Sequence, residues 1–156
     1  MPHHHERRTL PYTPQQMYDL VADVSSYPAF LPWIAAARVR SVEEEGDHLV
    51  MLADLVISFK VFRERFGSRV VLRPGERVIE TSYVEGPFRQ MDSTWRFHDV
   101  ESDPDCCEIE FEVDFEFKSR LLQGAANMFF QDAMQRIVRA FERRAAELHA
   151  PKGNPA

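Results

Sequence analysis

The sequence predicts an α+β fold in which an antiparallel sheet packs against helices, and three features of the chain support this. A short strand and a short helix are predicted first, between residues 3 and 24. Apolar and polar residues then alternate with a period of two from about residue 37 to residue 117. A helix-spaced apolar stripe follows, to about residue 149. Helices that lie to one side of an antiparallel sheet define this fold class.

The composition fits one domain with a substantial core. The chain has 156 residues, of which 44% are hydrophobic and 28% are charged, and its formal net charge is −6. That length is enough for one domain and hardly for two. The rings comprise 12 Phe, four Tyr and two Trp, which is a bias toward rings without a polar group. The acidic balance argues against binding of nucleic acid over a broad surface, and we expect no DNA partner.

The sequence lacks the patterns of a membrane-spanning or secreted protein. No apolar run approaches the roughly 18 residues that a spanning helix needs, and no signal-peptide pattern follows the N-terminus. Cys106 and Cys107 are adjacent, so on a strand they point to opposite faces and do not bridge easily. We therefore expect a cytoplasmic protein without a disulfide framework or a cysteine-based zinc site.

The N-terminal segment predicts a first strand over residues 3–10. It contains the triplet His3-His4-His5, which suits either a metal chelator, part of a tag or a solvated chain end. We favour the solvated end, because no second group of metal ligands accompanies the triplet. We accordingly expect no bound metal.

A short helix and an apolar segment come next. Thr13, Pro14 and Gln16 suit the N-cap, N1 and N3 positions of a helix. In the segment 27–34, two prolines forbid a long regular helix, although most of its residues are large and apolar. This segment either plugs the core or forms a rigid, exposed apolar edge, as a lid over a cavity or an element that dips into a membrane.

The alternating region predicts about six further strands joined by short turns, and hence an antiparallel meander. In the last of them the residues from Cys107 to Phe117 alternate with Glu108, Glu110, Glu112, Asp114 and Glu116. We interpret this acidic row as a solvated face rather than a catalytic array. In an earlier strand Glu64 shares parity with Phe62 and Phe66, so it points inward if those rings do. Three interpretations remain: a register bulge, a structural ion pair, and a polar group at one end of an apolar cavity.

One long helix is predicted from its N-cap, Ser119, to about His149. At 1.5 Å per residue it is roughly 45 Å long. Its apolar stripe therefore needs a partner surface of similar length, such as a curved sheet. Residues 150–156 predict a disordered tail. The apolar stripe of the helix comprises Leu122, Ala126, Phe130, Ala133, Ile137, Phe141, Ala145 and Leu148.

Arginines are frequent on the predicted outer faces of the sheet and the helix. We interpret them as solvated faces, with contact to anionic lipid headgroups or to RNA as the alternative. They are Arg38, Arg40, Arg63, Arg65, Arg69, Arg73, Arg136, Arg139, Arg143 and Arg144.

Five short segments occur in the order that is typical of a known family. They are Tyr27-Pro28-Ala29-Phe30-Leu31-Pro32-Trp33, Arg63-Glu64-Arg65-Phe66, Gly86-Pro87-Phe88, Trp95-Arg96-Phe97 and Phe115-Glu116-Phe117-Lys118-Ser119. Over about residues 3–149 the chain resembles the coenzyme Q-binding family of START-like, polyketide-cyclase-like domains. It departs from that pattern at Ser93, where a glycine is expected, and this affects only the local strand geometry.

The resemblance implies a helix-grip (START/Bet v 1-like) fold of six or seven strands around the long helix. It also implies a hydrophobic tunnel for ubiquinone or a similar prenyl lipid, and a non-enzymatic quinone chaperone that supports respiratory electron transport. Such a protein requires no cofactor, and we picture it in a bacterial cytoplasm, in peripheral contact with the inner membrane. Two alternatives remain: a ribosome-association toxin that binds the large ribosomal subunit, and a cyclase or aromatase that uses the same cavity.

The expected lid is formed by Tyr27 to Trp33, and the expected lining by side chains of the concave face and the helix. Glu64 and Tyr27 are the candidates for contact with a ligand headgroup. The full set of predicted ligand-binding residues is Tyr27, Phe30, Leu31, Trp33, Phe59, Phe62, Glu64, Phe66, Trp95, Phe97, Phe111, Phe115, Phe129, Phe130, Ala133, Ile137 and Phe141.

Overall fold

The computed structural model describes residues 3–59 and 62–149, without the side chains of Phe59, Phe62 and Phe129. The tail predicted at 150–156 therefore lies outside the described residues. The elements are β1 (His3–Leu10), α1 (Pro14–Ala22), a 3₁₀ helix (Val24–Ala29), β2 (Ile34–Glu45), β3 (His48–Phe59), β4 (Phe62–Arg73), β5 (Val78–Glu85), β6 (Phe88–Val100), β7 (Asp103–Phe117) and α2 (Arg120–Leu148).

All strands form one antiparallel sheet in the order β1-β7-β6-β5-β4-β3-β2. The strands from β2 to β7 follow one another as a meander, and β1 returns to lie beside β7. Register shifts between β2 and β3, and between β4 and β5, add local bends to the sheet. The predicted α+β fold with an antiparallel meander is confirmed.

The helix α1 begins with the predicted capping box. The backbone N–H of Gln16 donates to Thr13 Oγ1 at 3.0 Å, and the backbone N–H of Thr13 donates to Gln16 Oε1 at 2.9 Å. Pro14 occupies the first helical position. The buried face of the helix then presents Met17 and Val21 to the core.

The helix α2 also begins where the sequence predicts, with Ser119 Oγ accepting from the backbone N–H of Leu122 at 3.2 Å. Its strongest packing is against α1, β7 and β1. The predicted stripe is wrong at its end, because Leu148 is 51% exposed, whereas Val138 and Ala140 are buried. None of the described helices combines the length and the apolar character needed to cross a bilayer.

The histidine triplet is only in part the solvated chain end that we expected, because His3 and His5 are exposed whereas His4 is buried. It lies in β1 against β7, and the side chain of His4 is only 5% exposed. His4 Nδ1 hydrogen-bonds with Gln131 Oε1 of α2 at 2.7 Å, and His4 Nε2 hydrogen-bonds with Glu6 Oε1 at 2.9 Å. Within the described ranges, no group of three or more His, Cys, Asp or Glu side chains is placed to hold a metal ion.

A single glycine fixes the turn between β5 and β6. Gly86 has a φ of 136°, and a Cβ added there would meet Phe66 Cβ at 2.7 Å and the Arg65 carbonyl oxygen at 2.9 Å. Only glycine tolerates both the conformation and the close approach. The turn can therefore sit directly against Phe66, at the end of the sheet where α2 begins.

Candidate functional site

The concave face of the sheet carries the predicted rings of β6 and β7, and α2 packs its own rings onto them. Trp95, Phe111 and Phe115 are buried, and Trp95 stacks on Phe111 with their ring centroids 4.2 Å apart. From α2, Phe130 lies 4.8 Å from Phe115 and Phe141 lies 5.2 Å from Trp95, both edge-on. The structure thus brings these predicted residues into one cluster, in which the rings touch one another.

Phe97 and Phe66 extend this cluster at its two ends. Phe97 is buried against Trp95 and against Tyr18 of α1, with centroids 6.2 and 5.9 Å away. Phe66 is buried at the other end, 5.4 Å from the ring of Phe88. Most of the predicted lining is therefore packed core. The side chains of Phe59, Phe62 and Phe129 lie outside the described residues.

The predicted lid packs on the C-terminal half of α2. The rings of Tyr27 and Phe30 lie 5.5 and 5.3 Å from that of Phe141, and Leu31 is buried. Trp33 is half-buried with a φ of 66°, and its carbonyl accepts from the backbone N–H of Ser58 at 2.8 Å. The segment therefore contributes to the core at this end of the molecule.

Neither candidate for headgroup contact is placed for that role. The hydroxyl of Tyr27 donates to the carbonyl of Val21, and burial raises the pKa of Tyr27. Glu64 shares the face of Phe66, as parity predicts, but it is exposed, because it lies near the tip of the β3–β4 hairpin, opposite Ile57. The parity of Glu64 is therefore as predicted, but its carboxylate is exposed rather than buried, so it is neither a buried structural ion pair nor a polar group enclosed in a cavity.

Several apolar side chains of the strands and of α2 pack against the core but are only partly covered. We call this set the apolar rim, and it includes residues of the strands and of α2. Two predicted residues, Ala133 and Ile137, are half-buried at this surface. The apolar rim consists of Leu55, Ile57, Tyr83, Met91 and Phe117 on the strands and Ala126, Ala133, Met134 and Ile137 on α2.

Two clefts open elsewhere on the described surface. One of about 280 Å³ lies between α1 and the end of α2, lined by polar groups such as Asp19, Asp23 and Arg144. Another of about 270 Å³ lies on the outer face of β4, β5 and β6, beside Arg69 and Arg73. Neither lies between the concave face and α2, so neither is the predicted tunnel.

One inward-facing polar residue, Tyr83, was not among the predicted site residues. The hydroxyl oxygen of Tyr83 is buried and has no hydrogen-bond partner among the described residues. The nearby hydroxyl of Ser68 is engaged, since it donates to the carbonyl of Ala53 at 3.2 Å. Tyr83 shares parity with Ile79 in β5, and this predicts that it points inward. Thr81 lies between them on the same face and interrupts the apolar pattern, so the sequence did not single out Tyr83.

Comparisons of the sequence agree with this architecture. The family model described as polyketide cyclase/dehydrase and lipid transport matches residues 10–142. A protein of Rickettsia prowazekii named ribosome association toxin RatA is 36% identical over 146 residues, which cover 90% of this chain and 94% of that protein. Coenzyme Q-binding protein COQ10 homolog B of Xenopus laevis, mitochondrial, is 32% identical over 151 residues, covering 96% of this chain and 60% of that protein.

Comparisons of the structure give the same result. The 18 kDa protein CC1736 of Caulobacter crescentus has a TM-score of 0.78 at 35% identity, over 96% of this chain and 99% of the other. The Zhui aromatase/cyclase of Streptomyces sp. R1128 has a TM-score of 0.79 at 18% identity, over 98% and 99%, and so shares the fold alone. Because the family model matches most of its length, the chain belongs to the polyketide cyclase/dehydrase and lipid transport family.

Proposed function

We propose that the protein binds a prenyl lipid such as ubiquinone between its sheet and α2, and carries it without altering it. The observation that supports this best is the continuity of the ring cluster with the apolar rim. Phe115 lies 5.3 Å from Phe117, and Phe117 stacks on Phe88 at 4.8 Å. Burial of an isoprenoid tail along this surface is favourable by about 25 cal/mol for each Å² of apolar area.

The ligand enters at the apolar rim and displaces side chains that fill the space in the free protein. Met91 and Met134 lie at this rim, and their unbranched side chains adapt to a new neighbour more readily than rings do. The same end of α2 is also its least covered part, since Leu121 and Met128 on the outward side of the helix are 84% and 78% exposed. We therefore place the entrance at the N-terminal half of α2.

The same half of α2 supports a proposed contact with an anionic bilayer. Leu121 and Met128 are seven residues apart and so lie on one face of the helix. The only charged residues between positions 118 and 131 are Lys118 and Arg120, both basic. Apolar side chains beside basic ones favour a membrane surface with anionic lipids.

The polar groups of the concave face favour a carrier role over catalysis, because most of them are engaged within the chain or exposed to solvent. Ser68 and Tyr27 use their hydroxyl protons within the chain, and Glu64 is exposed. A general acid or base must lie within hydrogen-bond reach of a bound substrate. None of these three residues offers a free general acid or base to a ligand in the core. The buried hydroxyl of Tyr83 is left, and a single uncharged phenol supports binding better than catalysis, so we rank a cyclase or aromatase activity last.

The test is organic extraction of the purified full chain, followed by mass spectrometry. We expect a co-purified quinone or prenyl lipid, and we expect Ala126→Trp, which fills the apolar rim, to lower its amount several-fold. Ala125→Trp is the matched control, because Ala125 is exposed on the same helix. Repeated absence of any prenyl lipid from the wild-type protein, in a host rich in quinones, would contradict the proposal.

Ribosome association is the second candidate, favoured by exposed basic residues on α2. Arg139 and Arg143 are exposed and four residues apart, and neither has an ion pair within the described part of the chain. Relatives named ribosome association toxins, at 32–36% identity, add to this candidate.

Sedimentation with ribosomes separates the two candidates. If this second function holds, we expect the wild-type protein to sediment with the large ribosomal subunit in a sucrose gradient. The double variant Arg139→Glu, Arg143→Glu should lose that association. Ala126→Trp would leave it unchanged, because the apolar rim lies on the opposite side of α2. Unchanged subunit joining on overexpression would rule the candidate out.

A further inference from the structure

We propose that the hydroxyl of Tyr83 recognises the polar end of the ligand, so that the site selects prenyl lipids with an uncharged hydrogen-bond acceptor over plain hydrocarbons. The inference rests on the proposed lipid-binding function. Its starting point is the buried hydroxyl oxygen of Tyr83, which has no hydrogen-bond partner among the described residues. Such a group is unfavourable in the free protein, because its desolvation is not compensated.

Tyr83 lies on the face where the ligand is proposed to bind. In the sheet it pairs with Ser68, which is buried on the concave face. Its ring lies edge-on to Phe88, with centroids 5.6 Å apart, and Phe88 stacks on Phe117 of the apolar rim. Tyr83 is itself a member of the rim: the residue is half-buried, and its hydroxyl is buried. Only the rings of Phe117 and Phe88 therefore separate this part of the rim from Tyr83, so a ligand that enters there lies close to the hydroxyl.

Tyr83 offers a buried hydroxyl on this face whose proton no described acceptor takes. The protons of Ser68 and Tyr27 are used, on the carbonyls of Ala53 and Val21. A phenol donates well to a carbonyl oxygen in apolar surroundings. A ligand carbonyl would satisfy the hydroxyl of Tyr83, whereas a hydrocarbon would leave it unsatisfied.

The surroundings favour an uncharged headgroup. Phe66 and Phe88 lie edge to face, 5.4 Å apart, beside the tyrosine. The arginines of the neighbouring strand, Arg65 and Arg69, alternate with Phe66 and Ser68 and are exposed on the outer face. A carboxylate or phosphate would be buried here without a cation from that strand, and this is costly. A flat ring with a carbonyl, such as a quinone, fits better.

The test removes one oxygen atom, in Tyr83→Phe, and measures the stability of the free protein together with two affinities. We expect the melting temperature of the free protein to stay the same or rise, because the unsatisfied hydroxyl is gone. The affinity for a short-chain ubiquinone should fall about tenfold, the value of one hydrogen bond of ordinary strength. The affinity for squalene, a prenyl hydrocarbon without oxygen, should not change.

Tyr27→Phe is the matched control. It removes a hydroxyl that already donates within the chain, so it should lower the melting temperature and leave the ratio of the two affinities unchanged. A lower melting temperature for Tyr83→Phe, or an unchanged ubiquinone affinity, would overturn this inference and leave the proposed function intact. Wild-type protein that binds neither ligand would overturn both.

Discussion

At the scale of single residues, Glu110 illustrates how an outward-facing carboxylate becomes part of the fold. It lies in the acidic row of β7, yet only 12% of its side chain is exposed. His98 Nε2 of β6 and His5 Nε2 of β1 approach its two oxygens at 2.9 and 2.7 Å, and Arg7 lies 3.4 Å away. Hydrogen bonds from His98 and His5, helped by the charge of Arg7, lower the pKa of Glu110 to about 2.

Glu110 should make the stability of the protein depend on acid pH. A carboxylate whose pKa is lower in the folded than in the unfolded state stabilises the fold above the unfolded value, near 4.5. That stabilisation is lost as the pH falls from about 4.5 toward 2. Urea titrations at pH 6 and at pH 3 measure the free energy of unfolding. We expect its decrease between pH 6 and pH 3 to be smaller for Glu110→Gln than for the wild-type protein.

Glu112→Gln is the control, because Glu112 lies on the same face of β7 and is 42% exposed. Its substitution should leave the difference between pH 6 and pH 3 close to that of the wild-type protein. Equal behaviour of the two variants would show that the acidic row acts as a general surface charge, without a special role for Glu110.

The face on which each of these residues lies could be predicted, whereas their partners could not. Alternation in β7 places Glu110 outward, but His5 reaches it only because β1 pairs with a strand about a hundred positions later. Parity likewise places Glu64 on the concave face. Its exposure depends on where the core ends along the β3–β4 hairpin, and this is a property of the packed molecule.

At the scale of elements, β1 fastens α2 to the edge of the sheet. Gln131 of α2 accepts from His4 and donates to the carbonyl of His3 at 3.4 Å. Further along, Arg8 donates to Glu142 of α2 at 3.0 Å. The ring of His4 lies 6.2 Å from Phe111 and 6.1 Å from Phe130, so the polar contact adjoins the ring cluster.

His4→Ala should therefore destabilise the protein by about 2 kcal/mol, because it leaves Gln131 and Glu6 without a buried partner and opens a space beside two rings. His3→Ala is the matched control, since His3 is about half exposed on the same strand and should cost no more than about 0.5 kcal/mol. Urea unfolding gives both values. Equal costs would indicate that the triplet behaves as a solvated chain end after all.

The starts of both helices were predictable because a cap is a local structure, made by residues within one turn. Thr13 with Gln16 and Ser119 with Leu122 need no information from elsewhere in the chain. The buried face of α2 was predicted less well. Whether Val138 or Leu148 is buried depends on the angle at which the helix crosses the sheet, and the helical repeat alone does not determine that angle.

At the scale of the whole molecule, the order of elements follows from the sequence, whereas the state of the interior does not. Short turns allow little other than a meander, and a long amphipathic helix requires a surface to cover it. An excess of Phe suits a lined cavity and a packed core equally. The contacts of Phe130 with Phe115, and of Phe141 with Trp95, show a packed cluster in this conformation.

A protein that carries a prenyl lipid must also exchange it with a bilayer, and this leads to a prediction about the exposed face of α2. Leu121→Glu combined with Met128→Glu should reduce binding to vesicles that contain phosphatidylglycerol by tenfold or more, because two apolar side chains lose their burial and gain charge. Flotation of the vesicles measures the bound fraction. Phosphatidylcholine vesicles should bind the wild-type protein weakly, and added salt should weaken the binding to anionic vesicles by screening Lys118 and Arg120.

Leu148→Glu is the matched variant for this experiment, because Leu148 is an exposed leucine at the other end of the same helix. It should retain vesicle binding, and circular dichroism should show that both variants are folded. Loss of binding in Leu148→Glu as well would assign the contact to helix amphipathicity in general. Equal binding of the wild-type protein to neutral and anionic vesicles would remove the role of Lys118 and Arg120. If the double variant alone loses binding, the membrane contact lies at the N-terminal half of α2, at the same end of the helix as the proposed entrance for the lipid.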